Sequence, residues 1–597
     1  MNRKRPKRKT PSTKRKLFAA LSLSAVVIAL AAVFLFGGNK PENRGPGLFD
    51  VKISALEDCI FLSGKDLSGD IAYDTGEYGY IVFISVCDSK TKAAVFHAAG
   101  KTLESAYNSA ARTAKEFVSK NGYEALLVKA DVVNDISVIA SDSFESVIAP
   151  YASKFFRKGI AFDRAFKCAL LEAEINANTL ISYDNNKINV NNIKKYSEDR
   201  NEGGLFKGVP DELFLFTTTG WICDEKNDVF RLHSDETNFG RRVTGAADDD
   251  LAFETVTSAS EFLKSMVKDD GEFIYGYRPA TGQTISGYNI LRHAGTVWCM
   301  INQYRLTGDE SLIPLIEKLL FYLEACAEQD APDTAYIVER KADEIKLGGN
   351  ALAVLAFISY METFESDNYM SLTEKLANGI LALCDVETGT YYHVLNFPGF
   401  TKKEEYRTVY YDGEATYALA RAYALTNEDK YLEAAKAAVF NFIENEYEQY
   451  RDHWVAYSVN EVTKHFPDER FLTFGLKNAN VNLRRIYRLD PGYSTSFELL
   501  MASFEIYDRV IKNHGGLEYL NEFDKDGFFE TIYYRAEHML NARFYPEFAM
   551  YMHDPSLIAD SFFVRRDNFR VRIDDVQHVI GGYHKYIDNY TALKAYG

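Results

Sequence analysis

Two carboxylates at the start of one segment are the residues of this sequence best suited to acid–base chemistry. The segment 410–420 reads Tyr-Tyr-Asp-Gly-Glu-Ala-Thr-Tyr-Ala-Leu-Ala, which has the apolar spacing of a helix. Asp412 is a favourable N-cap residue, and Glu414 falls in the first turn near the positive end of the helix dipole. We expect these surroundings to lower both pKa values, which suits a base or a nucleophile. A purely structural role, in which the two acids only start the helix, fits the sequence equally well.

Three more predicted helix starts carry polar residues of the same kind. They lie at 288–295 with Arg292 and His293, at 346–352 with Asn350, and at 572–578 with Asp574, Asp575 and His578. Such residues are expected where a ring of helix pairs turns its helix starts toward one cavity. We therefore predict one concave face, lined by Tyr288, Arg292, His293, Asn350, Tyr411, Asp412, Glu414 and Asp575.

Hydrolysis of a glycosidic bond usually needs two carboxyl groups, of which one stays protonated, on either side of the bond. Asp412 and Glu414 are two positions apart on a helix, so they diverge and cannot both face one bond. The predicted pair therefore combines one of them with Asp574 or Asp575, and Asp575 is the expected proton donor. N-capping of the last helix is an alternative role for Asp574 and Asp575.

A second chemistry is open to His293. With tyrosines at 288, 410 and 411 nearby, it would remove the proton beside a uronate carboxylate while Arg292 holds that carboxylate. Such a protein would be a lyase or an epimerase. The alternative is that His293 bonds a helix end or a core partner. The predicted substrate-binding residues are Tyr288, Arg292, Asn350, Tyr410, Tyr411, Asp574 and His578.

The sequence lacks the motifs that mark most other enzyme classes. It contains no phosphate-binding loop, dinucleotide fingerprint, nucleophilic serine elbow or H-E-x-x-H zinc motif. The seven cysteines are scattered and lack a C-x-x-C pair, so neither a zinc site nor a disulfide framework is indicated. We accordingly expect no metal and no cofactor.

The N-terminus has the pattern of a membrane anchor. Residues 1–16 hold nine Lys and Arg and no acid, and residues 17–36 follow without a charge. An apolar run of about twenty residues is long enough to cross a bilayer as a helix. The positive-inside rule places the basic tail in the cytoplasm and everything beyond a linker at 37–47 outside the cell. The apolar run ends without a clear small-residue cleavage site, which favours an uncleaved anchor.

Charge excludes a nucleic-acid partner for the large external part. The whole chain carries a net charge of −17, and removing the nine basic charges of the tail leaves −26. Such a surface repels polyanions. The expected partners are instead an oligo- or polysaccharide substrate, the membrane through the anchor, and an envelope-polysaccharide machinery.

Residues 48–215 show a mixed pattern typical of a small α/β domain. Two strands are predicted at 80–87 and 93–97, further strands at 123–133 and 136–140, and helices at 102–120 and 162–176. We expect this domain to support or dock the rest. Residues 216–247 read as an irregular connecting segment.

From 248 to 597 nearly the whole chain is predicted to form about twelve amphipathic helices in pairs. Similar corners recur about every sixty residues, at 308–312 (Gly-Asp-Glu-Ser-Leu), 366–370 and 427–432. The first of these and the segment Tyr-Leu-Glu-Ala-Ala at 431–435 resemble the inter-helix corners of six-hairpin toroids, the (α/α)6 barrels of many carbohydrate-active enzymes. The loop Asp-Val-Glu-Thr-Gly-Thr-Tyr-Tyr-His at 385–393 resembles that of unsaturated glucuronyl hydrolases, N-acylglucosamine 2-epimerases and glucuronyl C5-epimerases.

This resemblance implies a mainly α fold, an (α/α)6 toroid preceded by the α/β domain and the transmembrane helix. It also implies a glycan ligand, while the fold hosts hydrolases, lyases and epimerases alike. The first function predicted is a glycoside hydrolase acting on an envelope or environmental glycan. The alternatives are the lyase or epimerase above and a non-catalytic glycan-binding or polysaccharide-assembly scaffold.

The predicted topology is testable on intact cells. If residues 1–16 are cytoplasmic and residues 48–597 external, added protease should digest the large fragment and spare the tail, because a folded domain outside the membrane is accessible. Immunoblotting with antibodies against each end measures this. Full protection of the large fragment would contradict the topology.

Overall fold

The computed structural model describes residues 47–66, 76, 78–151, 155–182, 185–200, 205–403, 408–513 and 516–597. The basic tail and the predicted anchor at 17–36 lie outside the described residues. The part from Leu48 to Gly597 is described by itself below. It joins an antiparallel β-sheet with flanking helices to a large array of paired helices.

The N-terminal portion of this part is an α/β layer. Its helices are α1 Leu48–Asp66, α2 Leu103–Asn121, α3 Phe144–Ile148, α4 Glu172–Ala177 and α5 Val190–Asp199. Its strands are β1 Tyr80–Cys87, β2 Ala94–Gly100, β3 Leu127–Ala140, β4 Gly159–Ala161, β5 Ala169–Leu170, β6 Ile181–Ser182, β7 Lys187–Ile188, β8 Glu212–Cys223 and β9 Val229–Arg231. Seven of these strands form one antiparallel sheet of order β2-β1-β3-β8-β4-β5, with β9 paired to β8.

Two sequence-based expectations about this layer are wrong. The predicted boundary after residue 215 falls inside β8, an inner strand that is buried on both faces and so lacks the alternation of a half-exposed strand. The helix predicted over 162–176 is instead a turn, β5 and the short α4. There the Asp163 carboxylate accepts backbone N–H bonds from Ala165, Lys167 and Cys168, which compete with helix formation.

The C-terminal portion consists of helical hairpins. Its helices are α6 Asp249–Ser265, α7 Ile290–Thr307, α8 Ile313–Ala325, α9 Leu347–Phe364, α10 Met370–Ala382, α11 Tyr411–Thr426, α12 Asp429–Glu444, α13 His453–His465, α14 Glu469–Asn480, α15 Leu483–Tyr487, α16 Thr495–Asn513, α17 Lys525–Met539, α18 Pro546–Ala549 and α19 Ile573–Tyr596. Short strands decorate its loops: β10 Gly276–Arg278, β11 Gln283–Thr284, β12 Ala327–Ala331, β13 Thr334–Glu339, β14 Glu344–Lys346, β15 Cys384–Asp385, β16 Thr390–Tyr391, β17 Val394–Asn396 and β18 Val571–Arg572.

Six of these helices form a closed inner ring. In order around the ring, α7, α9, α11, α13, α16 and α19 each pack on the next, and α19 packs back on α7. The helices α6, α8, α10, α12, α14 and α17 lie outside them as hairpin partners. The prediction of an (α/α)6 toroid is therefore confirmed, with two short helices, α15 and α18, in its loops. All six inner helices begin at the same end of the ring, because each is preceded by an outer helix running the other way.

Among the described residues, only α9 is long and apolar enough to meet the length and composition of a membrane span, and most of it is buried inside the protein. It is the second helix of the inner ring, where both flanks contact neighbouring inner helices.

The sheet supports the ring from one side. One sheet face packs on α1 and α2, and residues of the other face, such as Phe83 and Phe216, share the main core with the ring. The loop after α18 contacts the sheet directly. Ala93 donates a backbone hydrogen bond of 2.7 Å to the Met550 carbonyl, and the Ser85 and Tyr551 hydroxyls lie 2.8 Å apart.

Gly413 sets the contact between α11 and α13. A Cβ atom at this position would lie 2.6 Å from the backbone nitrogen of Val455 and 2.7 Å from the carbonyl carbon of Trp454. Because those atoms belong to the backbone of the neighbouring inner helix, the clash can be relieved only by moving the two helices apart.

We expect Gly413→Ala to destabilise the protein by about 1–3 kcal/mol, the usual cost of overpacking a core. Thermal denaturation followed by circular dichroism would measure the change. Gly245→Ala is the control, since a Cβ atom there meets no atom within 4 Å. Equal melting temperatures for the two variants would contradict this account of the helix contact.

Candidate active site

A cleft opens at the end of the ring where the six inner helices begin. Its first part has a volume of about 390 Å³, and the second, of about 510 Å³, adjoins it through Leu291, Arg292, Tyr410 and Glu414. All six inner helices contribute residues from their first two turns to the walls of the first part. Residues just before the start of α16 line it as well. The predicted convergence of helix starts on one cavity is therefore observed.

Glu414 is the most unusual side chain of the cleft. It lines both parts, yet only 2% of the residue is exposed, and its Oε2 atom has no hydrogen-bond partner. Burial, followed by the nearby carboxyl groups of Asp452 and Asp412, raises the pKa of Glu414 well above its ordinary value. A shift in this direction favours the protonated carboxyl group, which is the form that can donate a proton.

The expectation that the helix start lowers the pKa of Glu414 is wrong. The first-turn position is as predicted, but no backbone N–H bonds the carboxyl group. The helix dipole contributes about 0.3–1 kcal/mol at an exposed site. Burying an unpaired charge costs several kcal/mol, so burial decides the direction.

Gly348 provides the space for this carboxyl group. A Cβ atom on Gly348 would lie 2.0 Å from Glu414 Oε2, 2.6 Å from a Leu291 methyl carbon and 2.7 Å from the Tyr411 ring. The close approach that glycine allows here is therefore made by a side chain from the neighbouring inner helix.

Asp574 and Asp575 hold arginines over the cleft. Asp574 Oδ2 lies 3.1 Å from Arg292 Nε and 3.0 Å from an Arg572 nitrogen, while its Oδ1 is buried without a hydrogen bond. Asp575 accepts bonds of 2.9 and 3.1 Å from Arg572 and longer ones from Arg570. The N-cap position of α19 is Arg572, without a side-chain cap. Neither aspartate therefore caps the helix, and both line the cleft.

Two histidines face the same cleft, and one carboxylate joins them. His578 Nδ1 lies 2.8 Å from Glu498 Oε2, and His453 Nε2 lies 3.7 Å from the same oxygen. Burial and the neighbouring His578 lower the pKa of His453 well below its ordinary value. Burial opposes the charge on His578, but Glu498 outweighs it and raises the pKa of His578. The two pKa values therefore shift in opposite directions, although both rings lie beside Glu498.

His293 does not reach the cleft, so its predicted role as a base is wrong. The residue is fully buried, and both ring nitrogens are occupied. Nδ1 lies 2.5 Å from the Tyr288 hydroxyl and Nε2 lies 3.1 Å from the Leu319 carbonyl. Burial lowers the pKa of His293 to about 4. His293 thus bonds Tyr288 at the start of its own helix and joins α7 to α8 through the Leu319 carbonyl, and Tyr288 lines neither part of the cleft.

Asn350 and Asp412 also lie apart from the predicted concave face. Asn350 is buried and bonds strand β13, accepting the Ile337 N–H at 2.7 Å. Asp412 bonds His393 Nε2 at 2.7 Å and the Tyr447 hydroxyl at 2.8 Å, in a separate cavity of about 760 Å³. Of the two acids at this helix start, the cleft therefore contains only Glu414.

The remaining predicted residues do line the cleft. Tyr410 is half-exposed between its two parts, Tyr411 lies in the second part, and Arg292 reaches both. Sequence reasoning missed Asp452 and Glu498. Asp452 follows the N-cap pattern, whereas Glu498 sits in the first turn of an ordinary amphipathic helix and gave no signal. His453 directly precedes Trp454 in the sequence, and a His-Trp pair has the residue types of a sugar-binding surface.

The raised pKa of Glu414 predicts a specific pH dependence of stability. The folded protein keeps a proton on Glu414 that the unfolded chain releases above its ordinary pKa of 4.5. Stability from this residue is therefore lost as the pH rises above about 4.5, by up to about 1.4 kcal/mol per pH unit. The urea denaturation midpoint of Glu414→Gln, measured from pH 5 to 8, should increase relative to the wild-type midpoint as the pH rises. Glu310→Gln, an exposed control, should follow wild type, and parallel curves for all three proteins would contradict the argument.

No protein-family model and no curated protein matches the sequence. Among solved structures, the cellobiose 2-epimerase from Bacillus thermoamylovorans B4167 is 10% identical with a TM-score of 0.44, over 57% of this chain and 100% of that one. A D-mannose isomerase is 11% identical with a TM-score of 0.44, over 58% and 100%. An unsaturated glucuronyl hydrolase specific for heparin is 11% identical with a TM-score of 0.42, over 57% and 98%. The likeness is one of fold alone, so residue roles rest on the geometry of this cleft.

Proposed function

We propose that this chain is a carbohydrate-active enzyme that hydrolyses a glycosidic bond with Glu414 as the general acid. The observation that carries the proposal is the Glu414 carboxyl group, which lines a cleft, is buried and has an unbonded oxygen. A neutral carboxylic acid at neutral pH is what protonation of a leaving sugar oxygen requires.

The second carboxyl group is assigned to Asp574. It lines the same part of the cleft, and its Oδ1 atom has no hydrogen-bond partner, whereas both oxygens of Asp575 bond arginines. The expected roles are thereby exchanged, because Glu414 replaces Asp575 as the proton donor and Asp574 takes the role of base or nucleophile. In the reaction, the Glu414 proton passes to the glycosidic oxygen as the bond to the anomeric carbon breaks. Asp574 assists the attack on that carbon, as a base toward water or as the nucleophile.

Tyr410 offers a surface on which a sugar ring can stack. It is half-exposed at the junction of the two parts of the cleft, whereas Trp454 lies in the wall beside His453 with only 3% of the residue exposed. Arg292 lies in both parts and donates to Asp574. These groups suit an oligo- or polysaccharide substrate, because aromatic faces and guanidinium donors bind the two faces and the hydroxyl edges of sugars.

Two alternatives are weaker on the same geometry. The lyase or epimerase built on His293 loses its base, since that residue is enclosed in the core. A binding scaffold has no need for an unpaired buried carboxyl group, which costs about 1–3 kcal/mol of stability. Groups of this kind, with strongly shifted pKa values in a cleft, are typical of catalytic sites.

The location proposed for this activity is the outer side of a cell membrane. It is supported by the nine basic residues at 1–16 and the uncharged run at 17–36. An anchored enzyme of this kind would act on an envelope or environmental glycan, and an envelope-polysaccharide machinery is the proposed partner.

Glu414→Gln keeps the shape of the side chain and removes its proton. We expect turnover to fall at least about a hundredfold, the scale of lost acid–base catalysis, while glycan binding is retained. A panel of glycans, with product masses recorded, identifies the substrate and the reaction. Hydrolysis adds one water to the products, elimination leaves an unsaturated sugar, and epimerisation leaves the mass unchanged.

Asp412→Asn is the matched control, an amide substitution two positions away on the same helix but outside the cleft. It should reduce turnover far less than Glu414→Gln, because it removes no proton donor from the cleft and only one of the charges that raise the pKa of Glu414. Full activity of Glu414→Gln, or a product of unchanged mass, would overturn the assignment of Glu414 as the acid of a hydrolase.

A further inference from the structure

Two histidines of the cleft wall and a buried carboxylate behind them take no part in the proposed hydrolysis and converge on one point. They are His453, Glu498 and His578, from the starts of α13, α16 and α19, the last three helices of the inner ring. One ligand atom from each lies within 4.8 Å of the other two. Within the described part of the chain, this is the one group of at least three His, Cys, Asp or Glu residues with such spacing.

His453 has unused bonding capacity. Only 2% of the residue is exposed, and neither ring nitrogen has a hydrogen-bond partner. Burying a polar group without a partner costs free energy, so native proteins rarely leave both nitrogens of a buried imidazole unbonded.

The distances are close to those of a metal site. Ligands about 2.1 Å from a tetrahedral zinc ion lie roughly 3.4 Å from one another. His453 Nε2 and Glu498 Oε2 are 3.7 Å apart, and His578 Nδ1 and the same oxygen are 2.8 Å apart. The third distance, between the ligand atoms of the two imidazoles, is within 4.8 Å, so closing the site on an ion requires the rings to shift toward Glu498.

The surroundings also fit. The second oxygen of Glu498 accepts a hydrogen bond of 2.9 Å from the Tyr457 hydroxyl, the kind of outer contact that orients a ligating carboxylate. His453 and His578 both line the cleft, so one side of the cluster faces open space. Two imidazoles, one carboxylate and an open position are the donor set of catalytic rather than structural zinc sites.

We propose that His453, Glu498 and His578 bind a divalent transition metal ion of the zinc class, with an open coordination position facing the cleft. The sequence expectation of no metal rested on motif spacing, and these ligands are 45 and 80 residues apart, so no motif reports them. The site is independent of the role assigned to Glu414. A hydroxyl pair of a sugar, or water, is the ligand class suited to the open position.

Zinc binding to the purified full chain, after treatment with a chelator, tests the proposal. Competition with a chromophoric chelator should show one zinc ion per chain with a Kd of about 1 μM or tighter. His453→Gln, Glu498→Gln and His578→Gln should each weaken binding at least about a hundredfold, more than the loss of an outer contact usually costs. His584→Gln is the control. It lies on the same helix as His578, bonds Gln303 and is outside the cluster, so its zinc affinity should match wild type.

Cobalt provides a readout that does not depend on activity or on the stability of one variant. Visible absorption of the Co²⁺-loaded chain should show bands of a four- or five-coordinate site without sulfur ligation, and His578→Gln should abolish them. Equal zinc uptake by all variants would place the ion elsewhere on the chain, and no uptake by wild type would leave the histidines as a metal-free pair. Either result overturns the proposal. Glu414→Gln should retain zinc while losing hydrolysis, so the two proposals fail separately.

Discussion

The packing of the six inner helices against one another is the constraint on which the cleft depends. Each inner helix buries both flanks against its neighbours and its outer side against a hairpin partner, so its start is the part left open toward the axis. Small residues make this packing close, as at Gly413, where the backbone of the next helix leaves no room for a methyl group. Polar residues from distant parts of the chain consequently meet at one end of the ring.

Burial, and not the helix dipole, determines the electrostatics at that end. Glu414, Asp452 and Glu498 all lie at or near helix starts, where an exposed carboxylate would be favoured. For Glu414 and Asp452, burial raises the pKa well above the ordinary value. Asp452 still accepts the Trp454 N–H at 2.8 Å as an N-cap, so a capping bond alone does not outweigh removal from water.

The sheet takes part in the site through the wall it supports. The segment between α18 and α19 carries Arg565, Arg570 and Arg572 into the cleft, and the sheet packs behind it. Phe155 from the α/β layer contacts Phe569 of this segment and lies 4.3 Å from the Arg565 guanidinium carbon. The α/β layer, for which a supporting role is expected, therefore packs against the wall of the cleft that carries the arginines. Without this layer the wall would lose that packing contact.

The amino-acid sequence alone was enough to predict the paired helices, their number and the helix starts that carry chemistry. These follow from local periodicity and from capping and turn residues, which depend on neighbours within a few positions. It could not decide which side chain at each start faces the cleft. Residues two positions apart on a helix point about 200° apart, so Asp412 and Glu414 occupy different cavities once packing sets the rotation of α11. Helix packing likewise places His293 in the core and His453 in the wall of the cleft. Glu414 is buried, and its pKa raised, only after distant helices have packed. The same packing brings His453, Glu498 and His578 together. The tertiary structure alone therefore decided the chemistry.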